Sequence, residues 1–352
     1  MNNLFLDGHK LIYHLPLVKK WLEGKEIIPI HAEISPTIFC NHRCFFCYQE
    51  FRERKTSLNR DVFLGLLGSL AKVGVKSVLL AGEGEPMVNK HTPEAITYGA
   101  QVGLDMALNS NGVIMTAEIA ERILPHLTWF RFSIMAAIPE IYAKIHGTKP
   151  QDLERVKENI GMCVEIKKRN NLKVTLGIQQ VLLTENTNDV FNTAKLAKEL
   201  GVDYFVLKPF SFHPKNEYKP AIDLYLVHQA ELGKAETLTT DKFKVIIRWD
   251  TFADEGRRDY NQCLGLPFLA QIASDGGVYS CCPFFGDERF LYGNLYKDSF
   301  EKILGSKRRK EVIKFIAEKV NVHTDCMTHC RHHNINKFLW QMTRPPRHIN
   351  FP

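Results

Sequence analysis

The chain has no uninterrupted apolar run near the ~20 residues a helix needs to cross a bilayer, so it is not read as a helical membrane protein. Its first twenty residues, MNNLFLDGHKLIYHLPLVKK, break each apolar run with a charged residue or histidine and offer no small-residue cleavage site. That excludes a secretory signal peptide. Low-complexity tracts and internal repeats are also missing, which leaves an ordinary globular composition. The basic residues form no dense stripe, which argues against a nucleic-acid partner. Cysteine is scarce, nine in 352 residues. The expected compartment is the cytoplasm, where disulfides are rare and grouped cysteines point to metal or catalysis.

What is present is sufficient for one large domain or two moderate ones, with 45% hydrophobic residues. A net charge of +7 favours an anionic substrate such as a phosphate or nucleotide derivative, although a lysine-rich solvated surface gives the same figure. From about residue 27 strand-like and helix-like segments alternate. The apolar runs at 27–35, 76–82, 105–112, 129–137, 173–183 and 204–210 read as strands. Helical spacing predicts helices over 60–73, 93–103, 116–124, 151–169 and 187–200, with Gly74 as a stop and Thr92-Pro93 as an N-cap and first-turn proline. Six such units make an α/β fold, a partial (β/α)6 TIM-like barrel two units short of closure. After about residue 212 the rhythm changes. A helical segment near 221–235, a strand-like VIIRW at 245–249, a hairpin pattern FLAQIASDGGVYSCC at 268–282 and a helix over about 298–318 follow. The expected domains are an N-terminal extension (1–26), the barrel (27–212) and a small C-terminal module (213–352).

Three of the nine cysteines fall within FCNHRCFFC, spaced Cys40-x3-Cys44-x2-Cys47 at the end of the first strand. Three thiolates from one short loop suit a soft metal centre. A zinc site wants four closed ligands; His42 is the nearest candidate, but four ligands within eight residues strain a tetrahedron. An iron–sulfur cluster held by three cysteines leaves one iron open to a small molecule. The segment Glu83-Gly84-Glu85-Pro86 and the residues Asn109, Ser133 and Lys208 all fall at strand carboxyl ends, where such folds place their sites.

Cys-x3-Cys-x2-Cys in this position, with Phe46 before the third cysteine, resembles the radical S-adenosylmethionine superfamily over about residues 27–210. The resemblance implies a 4Fe–4S cluster whose open iron takes the amino and carboxylate groups of S-adenosylmethionine. It also implies reductive cleavage of that cofactor to a 5′-deoxyadenosyl radical that abstracts a substrate hydrogen. Glu83-Gly84-Glu85-Pro86 is similar to the family's Gly-Gly-Glu-Pro segment, which receives the methionine amino group, with Glu83 in place of the first glycine. Asn109 and Ser133 are candidates for ribose and carboxylate, Gln179 or Gln180 is a further one, and Phe46 and Tyr48 are candidates for packing near the adenine. For these polar residues a plain structural role competes with cofactor contact.

Five cysteines lie in the C-terminal module. Cys263, Cys281 and the late pair Cys326-x3-Cys330 resemble the twitch form of the SPASM domain, a hairpin plus helix carrying one auxiliary 4Fe–4S cluster. Cys282 competes with Cys281, and zinc competes with iron because His329, His332 and His333 share the tail. Cys163, inside a helix, is read as core. The resemblance implies a carbohydrate-type substrate (sugar, nucleotide sugar or aminocyclitol), small and possibly phosphate- or nucleotide-activated, and an electron donor such as flavodoxin or ferredoxin. Lys208, Lys215, Arg344 and Arg347 are candidate phosphate partners. Oxidation of a carbinol, which would make the protein a dehydrogenase-type oxidoreductase, is preferred, because Cys282 is expected to point away from the substrate side. Epimerisation would make Cys282 the catalytic hydrogen donor, and a dehydratase is a third carbohydrate chemistry. A peptide or protein maturase is a further alternative, lowered by the 26 residues ahead of the first strand, too few for a leader-peptide recognition domain. A non-enzymatic zinc protein is a distant one.

Overall fold

The computed structural model describes residues 4–49, 53–221 and 223–351; of the segments anticipated above, residues 1–3, 50–52, 222 and 352 lie outside these. Ten strands form one sheet in the order β10-β9-β8-β1-β2-β3-β4-β5-β6-β7. They are β1 (His31–Ile34), β2 (Ser77–Leu80), β3 (Asp105–Ser110), β4 (Leu127–Ser133), β5 (Thr175–Val181), β6 (Tyr204–Lys208), β7 (Lys244–Ile247), β8 (Leu269–Ile272), β9 (Gly277–Tyr279) and β10 (Leu291–Asn294). The first six, with the helices between them, are the six-unit partial barrel. Pro29 has no N–H to give a ladder, so β1 begins at His31 rather than at residue 27.

The parallel run does not stop at six strands. β7 adds to β6, and β8 adds to the other side of β1 with Glu33 opposite Gln271. The first arm of the predicted hairpin is therefore also a barrel strand, and only β9 and β10 run antiparallel. Strands from both sides of residue 212 share one sheet. The early residues are built in as well. Leu11 and Val18 pack with Ile27, Phe268 and Leu339, and Asp7 accepts a hydrogen bond from Asp250 N at 2.9 Å.

Local sequence explains the helices that position the site. Asn59 accepts from Val62 N and starts helix Arg60–Val73, which Gly74 ends in the left-handed region at φ 99°. Thr92 lies inside its helix instead of capping it, and its hydroxyl donates to Pro86 O. Helix Gln151–Arg169 buries Leu153, Val156, Ile160, Cys163 and Val164 on one face. The predicted helix at 298–318 is broken into Phe300–Leu304 and Lys307–Lys319, because Ser306 caps a new start at Arg309 N. Among the described residues, no helix is long and apolar enough to cross a membrane.

Candidate active site

The three-cysteine loop leaves the end of β1 and is fixed by hydrogen bonds to three neighbours. Glu85 N donates to Phe39 O at 3.0 Å, Arg43 N to His146 O at 2.9 Å, and Asn216 Nδ2 to Phe46 O at 3.0 Å. Gly84 makes the first of these possible. A Cβ there would sit 2.3 Å from Phe39 O, so only glycine lets the Glu83–Pro86 segment lie against the loop.

Cys40, Cys44 and Cys47 are all half-buried, and all line one deep cavity of about 330 Å³. Burial pushes the Cys40 thiol up to about 11, helped by Glu85 and Cys47. Without a cation Cys40 stays a thiol; a metal would draw it to the thiolate. A single tetrahedral zinc requires sulfurs about 3.8 Å apart, from Zn–S bonds of about 2.3 Å. Among the described residues, the one trio of candidate ligands within 4.8 Å of one another is His42, Cys44 and His146, which does not include Cys40 or Cys47. The three sulfurs therefore do not all lie within 4.8 Å of one another, wider than one zinc ion asks, and they border an open volume; Cys40, Cys44 and Cys47 would hold an iron–sulfur cluster there.

His146, at the end of helix Pro139–His146, was not anticipated from sequence. Its Nε2 accepts from Met135 N at 3.2 Å, and its Nδ1 lies 3.5 Å from Cys44 Sγ. Burial, then His42, hold its pKa well below the usual value, so the ring is neutral. A neutral ring that accepts at Nε2 carries its proton on Nδ1 and donates it to the Cys44 sulfur.

The other residues singled out from sequence also line this cavity: Phe46, Tyr48, Glu83, Gly84, Glu85, Asn109, Ser133 and Gln179. Their bonding differs. The Glu85 carboxylate accepts from Met87 N, Ser110 Oγ and Asn111 N, and its pKa is still raised by burial. Glu83 accepts from Ser274 N at 2.6 Å. Gln179 Oε1 accepts from Arg131 at 3.2 Å, whereas Asn109 Oδ1 is buried without a hydrogen bond. Gln180 faces away and donates to Met135 O.

The adjacent cysteines separate. Cys281 lies within electrostatic reach of Cys263, Cys326 and Cys330, and burial first, then these neighbours, raise its pKa well above normal. Asn336 Nδ2 donates to Cys263 Sγ at 3.4 Å. No three of these four sulfurs lie within 4.8 Å of one another, again too open for one zinc ion. The tail histidines serve other ends. His333 bonds Tyr260 and Asp254, while His329 lines the main cavity with Nδ1 unbonded and its pKa pushed down to about 3 by burial. Cys282 lines the main cavity, beside Tyr48. The expectation that it points away from the substrate side is therefore corrected: alternation along the chain turns Cys281 to one side and Cys282 to the other. Cys163 is wholly buried in the main core.

Of the four basic residues named from sequence, only Lys208 reaches the cavity. Arg344 and Arg347 are exposed, with the Arg344 guanidinium 3.3 Å from the Trp340 ring centroid. Arg248, Arg331, Glu33 and Gln271, which also face the cavity, carry no local sequence signal.

Fold and site together describe an α/β barrel with the three cysteines of one loop at a deep cavity. Residues 34–197 match the model of the Radical SAM superfamily and residues 263–332 that of the SPASM iron-sulfur cluster-binding domain, so the chain carries a Radical SAM domain followed by a SPASM domain. These two domains imply S-adenosylmethionine and 4Fe–4S clusters as cofactors. Among curated relatives, GTP 3′,8-cyclase of Syntrophomonas wolfei is 27% identical over 223 residues, 60% of this chain and 65% of the relative. The probable GTP 3′,8-cyclase of Methanococcus vannielii is 24% identical over 223 residues, 62% of this chain and 71% of the relative. The chain thus spans just under two thirds of the first relative. Streptococcus suis SuiB bound to S-adenosylmethionine superposes with a TM-score of 0.68 at 15% identity, covering 95% of this chain and 79% of SuiB. The anSMEcpe structure with bound AdoMet gives 0.58 at 17% identity, covering 82% and 84%.

Proposed function

We propose that this enzyme abstracts hydrogen from a small carbohydrate-type substrate, such as a sugar, nucleotide sugar or aminocyclitol, held in the cavity beside the three-cysteine loop. The observation that carries this reading is the single cavity itself, which joins Cys40, Cys44 and Cys47 on one wall to Cys282 and Arg331 on another. Its volume of about 330 Å³ is at the lower end for small-molecule sites. Bound S-adenosylmethionine, cleaved with one electron from a flavodoxin- or ferredoxin-type donor, supplies a 5′-deoxyadenosyl radical that removes a hydrogen atom from the substrate. In this reading Cys40, Cys44 and Cys47 hold the first cluster, and Cys263, Cys281, Cys326 and Cys330 hold the auxiliary one. Glu83, Gly84, Glu85, Asn109, Ser133 and Gln179 receive the cofactor, with Phe46 and Tyr48 beside it. Residues 27–212 supply the barrel and 213–352 the auxiliary module. Nine cysteines without a disulfide among them accord with a reducing, cytoplasmic setting.

Relatives named GTP 3′,8-cyclase support a nucleotide-type substrate over an uncharged one. The first choice of reaction is oxidation of a carbinol, supported by four further cysteines gathered close to the cavity. Epimerisation is the second reading, supported by one observation: Cys282, which would be the hydrogen donor in that reaction, lines the cavity. A peptide maturase draws support from fold alone.

The test is 5′-deoxyadenosine formation by the reconstituted enzyme against a panel of nucleotide sugars, with product mass measured. Oxidation yields a product about two mass units lighter than substrate; epimerisation keeps the mass and adds one solvent deuterium at carbon. Formation of 5′-deoxyadenosine that no member of the panel stimulates would overturn the substrate class.

A further inference from the structure

The arc of the barrel opposite the cofactor candidates is cationic. Lys208 ends β6, Arg248 follows β7, and Arg331 precedes the last helix; all three line the cavity. The side chain of Arg331 keeps 47% of its surface accessible although protein surrounds it, because that surface is cavity wall. Two carboxylates answer three cations. Glu33 pairs with Arg331 Nε at 2.7 Å, and Asp7 with Arg248 Nε at 3.5 Å. Among the described residues, no carboxylate lies within 4 Å of Lys208 Nζ. Its pKa is pulled down to about 7, by burial first and then by Arg331, Arg248 and Arg131.

A second observation points to a ligand here. Gln271, directly across from Glu33 on β8, is 1% exposed and lines the cavity, yet neither its amide nitrogen nor its oxygen has a hydrogen-bond partner. Buried polar groups of this kind are normally satisfied, and cations gathered around one cavity favour an anion there. A ligand that accepts from Lys and Arg and also meets an amide supplies what is missing.

We propose that Lys208, Arg248, Arg331 and Gln271 form a subsite for a phosphoryl group of the substrate. A phosphate offers several charged oxygens to two guanidinium forks and an ammonium at once, which a neutral sugar or a peptide amide does not. This rests on reading the cavity as the substrate site and narrows that substrate to a phosphate ester or diphosphate-linked compound. The subsite lies on β6, β8, the end of β7 and the tail, whereas the cofactor candidates come from the loops after β1 and β2 and from β3 to β5, so in this reading the two are occupied together.

The test is calorimetric titration of inorganic pyrophosphate into cluster-loaded enzyme saturated with S-adenosylmethionine. One pyrophosphate is expected to bind per chain, weakened by about tenfold or more in Lys208→Met and in Arg331→Met, and kept within about threefold in Lys208→Arg. The charge-keeping variant separates a lost contact from a lost fold. Citrate at equal concentration is the carboxylate arm, expected to bind more weakly. Pyrophosphate that fails to bind the parent, binds the Met variants equally well, or displaces S-adenosylmethionine would overturn the subsite. Cofactor cleavage in the absence of substrate, measured on the same samples, reports on the radical reading separately.

Discussion

At the scale of single residues, His146 is the contact most open to measurement. Its Nδ1–H points at the Cys44 sulfur because Nε2 is committed to Met135 N. A donor to a cluster sulfur stabilises the more negative, reduced state and so raises the reduction potential. His146→Phe fills the space without a donor. The first cluster's midpoint is expected to move to more negative potential in an electron paramagnetic resonance titration, with iron content retained. An unchanged midpoint would mean the hydrogen bond has no electronic effect. Cys281 and Cys282 give a second residue-scale test. Cys281→Ala should cost about four irons and Cys282→Ala none, since only Cys281 faces the other three sulfurs. The reverse iron counts would exchange the two assignments.

At the scale of elements, the cysteine loop depends on the segment that follows β2. Gly84→Ala puts a methyl group against Phe39 O and the Ile38 carbonyl carbon, so either the loop or the segment must move. A loss of about 1–3 kcal/mol in stability is expected, with iron loading reduced, by thermal denaturation and iron assay. Lys208, at the end of β6, makes the cavity pH-dependent. Its ammonium titrates near pH 7 in the free site, and an anion binds the charged form. Affinity for pyrophosphate should therefore hold below about pH 7 and fall above it, by at most about tenfold per pH unit. Lys208→Arg should abolish the fall; a pH-independent affinity in the parent would contradict the role of that ammonium.

Strand identity was largely readable because apolar runs bounded by glycine and polar turns mark each β–α unit, as did the helix at 151–169. Less was visible where long-range pairing decides. Nothing in residues 269–272 announces that they pair with His31–Ile34 across some two thirds of the chain. The short helix Pro139–His146 was hidden behind the strand-like run before it, so its terminal histidine went unseen.

At the scale of the whole molecule, the two groups of cysteines stood out in the sequence because cysteine is scarce and three of the nine sit in one loop. The cavity between them was not. Its cations come singly from β6, the end of β7 and the tail, and a lone arginine in a sequence has the look of a solvated one. Lys215, Arg344 and Arg347 had the same appearance as Lys208, and only the place of Lys208 at the cavity-facing end of β6 separates them. Cys282 lines the same cavity, which sequence spacing alone did not show.

The central claim is that two separate cysteine sets hold two clusters and that the first drives cofactor cleavage. It is tested most directly by iron, sulfide and 5′-deoxyadenosine analysis of anaerobically reconstituted parent and of the variant Cys40→Ala, Cys44→Ala, Cys47→Ala. The parent should hold about eight irons and eight sulfides per chain, and the variant about half of each. The variant should form no 5′-deoxyadenosine. A variant that still cleaves S-adenosylmethionine at the parent's rate would contradict the account.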